Sequence, residues 1–190
     1  MITLKFITSH EETKPVSQDI SSYLKSSAPA QAVLSDILGK ELVSSEKEIR
    51  VVLRHISDEL KNGYKDYAYS IRVYGTCTIH NKQITLIINP FDSFDFSLRR
   101  ILETLAHELV HYRQISEGRL GFDSSGFRWK NKYYTKTDND TPWEVEANTR
   151  MKMVDRLDDI PSIKYPKSGK IGKWWHNIKV AMVTANYYIF

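Results

Sequence analysis

The chain has 190 residues and is 41% hydrophobic, enough for one good core and too apolar for a disordered chain. A single cysteine, Cys77, excludes an internal disulfide and a Cys-rich zinc finger, and no stretch reaches the roughly 18–20 apolar residues of a membrane span. The formal charge of +4 belongs to one end: Lys164, Lys167, Lys170, Lys173 and Lys179 follow the last acidic residue, Asp159, and without them the body is slightly acidic. This divides the chain into a domain over 1–160 and a basic, aromatic tail over 161–190. The opening MITLKFITSHEET has no basic segment leading into a long apolar run, so no secretory signal is expected and a reducing, cytoplasmic setting is.

In chain order, Ile2, Leu4 and Phe6 alternate with polar residues and predict a strand. Ser9 to Ser27 is polar and reads as a loop or loose helix. A short helix is expected from Pro29, with Ala30, Val33, Leu34, Ile37 and Leu38 inward and Gly39 closing it. A stronger helix is expected from about Glu46 to Asn62, where Ser45 and Glu48 have capping-box spacing and Ile49, Val52, Leu53, Ile56 and Leu60 form a stripe. His55, beside that stripe, reads as a packed or surface histidine. Tyr69, Ile71 and Val73 alternate as a strand, Ile84 to Ile88 is a β-branched run, and His80 to Gln83 supplies the turn of a hairpin.

Residues 94–114 carry the strongest pattern. Leu98, Ile101, Leu102, Leu105, Leu109 and Tyr112 recur at spacings of three and four, predicting an amphipathic helix. His107-Glu108-Leu109-Val110-His111 lies within it. Residues four apart are neighbours on a helix, so both imidazoles can face one cation, and zinc suits imidazole better than calcium or magnesium does. Glu108 follows the first histidine, where a carboxylate can reach water in the site without ligating the metal.

The pattern fades through Gly118, Gly121 and Gly126, and Phe127 to Thr135 predicts a two-stranded ribbon around Asn131. Trp129 is expected to pack, while Tyr133, Tyr134 and Arg128 stand open as oxyanion-stabilising groups. Thr141 and Pro142 then predict a helix start, with the helix reaching about Asp158. A zinc holding two histidines wants a carboxylate as its third protein ligand, and this helix offers Glu144 and Glu146. The capping-box spacing from Thr141 gives Glu144 a purely structural alternative. In its favour, Asn148 falls on the same side and can hold a ligand histidine's ring N–H, and Ala147 lets two helices approach.

HELVH followed by an E-x-E-A-N helix resembles the small gluzincin-type peptidases, particularly the ImmA/IrrE-like group and related phage-encoded HExxH proteins, over roughly residues 84 to 158. The resemblance implies zinc on His107, His111 and Glu144, with Glu108 as catalytic acid and base. The implied fold is α+β: a small zincin-like domain with a short sheet packed on the HExxH helix and a second, glutamate-bearing helix. Gln114 and Glu117 occupy the positions where metzincins have glycine and histidine. No histidine follows in the body to match SprT-like proteases, and Asn148 stands where thermolysin-like enzymes have aspartate. The implied activity is zinc-dependent hydrolysis of peptide bonds in a protein or peptide substrate, with an extended substrate pairing with the sheet edge.

The alternative function is a catalytically silent structural or interaction protein of the same fold, such as a phage component. The tail, with Trp174, Trp175 and a final Tyr187-Tyr188-Ile189-Phe190, either packs on the body or contacts nucleic acid, an anionic surface or a protein partner. His176 within it reads as incidental.

Overall fold

The computed structural model describes residues 3–8, 13–45, 48–55, 73–78, 83–88, 97–135 and 140–162. The expected residues 69 and 71 of the hairpin, its turn at 80–82 and nearly all of the tail, residues 163–190, lie outside them. The architecture is α+β. Strands β1 (Thr3–Thr8), β2 (Glu48–His55), β3 (Val73–Thr78) and β4 (Gln83–Ile88) form one sheet in the order β1-β2-β4-β3. β1 and β4 each run parallel to β2, whereas β3 runs antiparallel to β4 at the edge.

In place of the helix expected from Glu46 to Asn62, β2 occupies Glu48–His55, and residues 56–62 lie outside the described residues. Ile49, Val51 and Leu53 are at most 1% exposed while Glu48 and Arg50 face outward, so a two-residue period prevails over the helical stripe. The physical reason is the strand's central place between two parallel neighbours, where β-branched side chains pack well and the backbone is paired on both sides.

The polar stretch before Ser27 is also more ordered than expected. Helix α1 (Lys14–Ser26) buries Val16, Ile20, Tyr23 and Leu24 at helical spacing, with Pro15 in its first turn. Helix α2 (Ala28–Leu38) follows, as expected, with Ser27 accepting from the Ala30 N–H and Gly39 ending it at φ +83°. A short α3 (Lys40–Ser45) leads toward β2.

Helix α4 (Leu98–Ser116) starts at Ser97, whose hydroxyl accepts from the Arg100 N–H. Leu98, Ile101, Leu102, Leu105 and Leu109 are at most 1% exposed, each burial worth about 1.5–3 kcal/mol relative to exposure. The helix packs against β3 and β4 and against α1 and α2. Gly118, at φ +69°, turns the chain out of it.

The ribbon has three strands rather than two: β5 (Leu120–Asp123), β6 (Gly126–Trp129) and β7 (Lys132–Tyr134). The missed strand opens on Leu120 opposite Trp129, and Leu120, Trp129 and Trp143 form a second buried cluster. Lys130 and Asn131 have φ +45° and +69°, so the ribbon expected around Asn131 turns there through a two-residue, left-handed hairpin loop. Helix α5 (Pro142–Met151) then tightens into a 3₁₀ turn over Lys152–Arg156 instead of continuing to Asp158. The Arg99 guanidinium donates to the carbonyls of Val154 and Leu157, satisfying that end. No helix among the described residues is long and apolar enough to cross a membrane.

Candidate metal centre

Fully buried Ala147 brings α5 close against α4, and the two helices share one cluster. His107 and His111, one turn apart on α4, place their Nε2 atoms 3.0 Å from each other, the rings meeting edge to face at 77°. Glu144, in the first turn of α5, lies between them: Oε2 is 3.2 Å from His107 Nε2 and Oε1 is 3.3 Å from His111 Nε2. One donor atom from each residue falls within 4.8 Å of the others, so the trio can hold a metal ion.

The two acids of α5 are separated by their surroundings. Thr141 makes no side-chain capping bond to the helix, and the Glu144 carboxylate turns to the imidazoles instead. Glu146 engages Arg119, at 2.6 and 3.3 Å, and reaches Gln114 and Arg150 at 3.4 Å. Glu144 is therefore the acid brought to the histidines.

Glu108 reaches toward Gly75 of β3 and is only 5% exposed. A β-carbon built on Gly75 of β3 would lie 2.5 Å from Glu108 Cγ and 2.6 Å from Oε1, so glycine leaves the space that this side chain fills. Burial pushes the Glu108 carboxyl up from 4.5 to about 7; the charges of His111 and His107 pull it down, and that of Glu144 adds to the rise. At Glu144 burial also raises the value, but hydrogen bonds and charge from His107 and His111 outweigh it and hold the carboxyl at about 2. At His111 burial favours the neutral ring, yet the carboxylates of Glu144 and Glu108 raise its pKa.

The buried His111 ring is held by Gln114, whose Oε1 lies 2.9 Å from Nδ1. Asn148, which the sequence offers for such a contact, makes no bond to either ring among the described contacts. The signal was a polar residue three positions after the second histidine, on the same helical side. The groups considered for an oxyanion are engaged elsewhere. Tyr133 donates to Asp123 Oδ2 at 3.0 Å, Tyr134 packs edge-on against Trp143, and Arg128 donates to Asn131 Oδ1. Trp129 packs, as expected, beside Trp143. Comparison of the chain with protein families, curated proteins and solved structures returns no match.

Proposed function

We propose that the protein is a zinc-dependent peptidase of the HExxH, gluzincin type, with His107, His111 and Glu144 as metal ligands and Glu108 as general base and acid. The observation that carries this reading is the convergence of two imidazole nitrogens and one carboxylate beside a buried glutamate one position after the first histidine. The donor set fits the metal. Tetrahedral zinc, with bonds of about 2.0–2.1 Å, requires donors roughly 3.3 Å apart. The two imidazole nitrogens here are 3.0 Å apart, each lies 3.2 or 3.3 Å from a different oxygen of Glu144, and one donor atom from each residue falls within 4.8 Å of the others. Two neutral nitrogens and a single carboxylate suit calcium or magnesium poorly.

When bound, zinc supplies Lewis-acid polarisation of a carbonyl and makes water nucleophilic near neutral pH. Glu108 takes the proton as water oxygen attacks the carbonyl carbon, then delivers it to the amide nitrogen as the C–N bond breaks. The substrate is an extended peptide. Its backbone pairs with the outer edge of β3, whose sheet neighbour among the described residues is β4 and whose Gly75 adjoins Glu108. The α+β body, with its sheet packed on the His-Glu-His helix, accords with a zincin-like domain.

The test is cleavage of an unstructured protein such as casein. Activity is expected in the wild type, lost with chelator, restored by zinc, and lost in Glu108→Gln, which still binds zinc. Full hydrolysis by Glu108→Gln would overturn the role given to Glu108.

A further inference from the structure

Gln114 is fully buried at 0% exposure and uses both ends of its amide. Its Nε2 donates to the Trp143 carbonyl at 3.0 Å and approaches Glu146 Oε2 at 3.4 Å, while its Oε1 lies 2.9 Å from His111 Nδ1. Turning the amide over would set its oxygen against a carbonyl and a carboxylate, both acceptors. The carboxylate cannot swing aside, because Arg119 holds it with two hydrogen bonds. The Trp143 carbonyl and Glu146 thus fix which end of Gln114 faces the ring. Facing an acceptor, Nδ1 carries a hydrogen, so the ring nitrogen that can offer its lone pair to a cation is Nε2, which faces His107 and Glu144.

We propose that Gln114 is the positioning residue of the cluster: it holds His111 as the Nδ1–H tautomer and ties that ring to the backbone immediately before Glu144, so one amide aligns two of the three donors. The inference rests on the metal-site reading above and adds the means by which the site is formed before an ion arrives. Arg119 and Glu146 serve the same end at one remove, by keeping the amide from turning.

The test uses the full-length chain and two variants. Gln114→Met keeps the volume and removes both hydrogen bonds; Gln114→Glu keeps an acceptor toward Nδ1 but loses the donor to Trp143. Two-bond ¹⁵N–¹H correlation spectra at alkaline pH report the His111 tautomer, and zinc titration reports affinity. The wild type is expected to show the Nδ1–H ring. Gln114→Met is expected to lose that preference and to bind zinc about 10–100-fold more weakly. Gln114→Glu is expected to retain the tautomer, with a smaller loss of affinity. Wild-type tautomer and affinity in Gln114→Met would overturn the proposal, and so would an Nε2–H ring in Gln114→Glu if the methionine variant does not fold. A wild type with the Nδ1–H ring that takes up no zinc would overturn the metal reading and leave the orienting role of Gln114 in place.

Discussion

Glu108 of α4 fills the space that a side chain at Gly75 of β3 would need: a β-carbon at 75 would sit 2.5 Å from Glu108 Cγ. The contact is with the stem of a buried side chain, so the glutamate cannot swing clear into solvent. Gly75→Ala is expected to destabilise the fold by about 1–3 kcal/mol through overpacking. Displacing the base by about 1 Å is expected to lower peptidase kcat by about 100-fold. Zinc affinity, set by His107, His111 and Glu144, is expected to stay within a few-fold of wild type. Denaturant unfolding, steady-state kinetics and zinc titration check the three parts separately.

Glu146 gives a pH dependence. Burial raises its pKa, but the hydrogen bonds and charge of Arg119 outweigh this and depress it below the ordinary 4.5. A depressed carboxyl stabilises the folded state above its unfolded pKa, and that contribution is lost as pH falls through the folded value. Glu146→Gln is therefore expected to cost about 1 kcal/mol near neutral pH, the pair being partly exposed and screened. The difference from wild type is expected to close as the pH drops below about 4.5. Unfolding curves at pH 7 and at acid pH measure it, and a constant difference would contradict this assignment.

Trp143 joins the ribbon to α5. It is 2% exposed, with Phe127 stacked at 5.9 Å, Tyr134 edge-on at 5.1 Å and Trp129 tilted at 6.3 Å. Trp143→Ala is expected to cost about 3–5 kcal/mol, and Trp143→Phe markedly less. Because its carbonyl receives the Gln114 amide, the alanine variant is also expected to weaken zinc binding. Chemical denaturation and metal titration test the two effects.

Cys77 lies on β3 two residues from Gly75. Burial, with the Glu108 charge adding to it, pushes its thiol well above the usual range. Thiolate being the reactive form, iodoacetamide at pH 8 is expected to modify Cys77 at least about 10-fold more slowly in the folded protein than in denaturant. Mass spectrometry of timed quenches reads both rates.

The α+β class, α2, β4 and the Lys130-Asn131 turn were legible because local pattern and tertiary surroundings agree there. β2 was not, since Ile49, Val52 and Leu53 satisfy a helical period while Ile49, Val51 and Leu53 satisfy a strand. Only the flanking strands decide between them. α1 was hidden by polar residues on its outer face, although Val16, Ile20, Tyr23 and Leu24 bear the inner one. At the site, spacing pointed to His107, Glu108 and His111. The choice between Glu144 and Glu146 depends on Arg119, which is drawn to Glu146 by the turn at Gly118, a relation no helical wheel contains. Gln114 was less legible than Asn148, because the hydrogen bond that holds His111 comes from its own helix.

The most direct test of the central claim is zinc binding by the full-length chain alongside Glu144→Gln and Glu146→Gln. One zinc per chain is expected in the wild type and in Glu146→Gln, the latter with a smaller loss of affinity than Glu144→Gln because Glu146 only helps to hold the Gln114 amide. Glu144→Gln is expected to lose at least about 10–100-fold in affinity, removal of a ligand costing no less than loss of the contacts that orient one. Wild-type zinc affinity in Glu144→Gln, or no zinc bound by the wild type, would contradict the site.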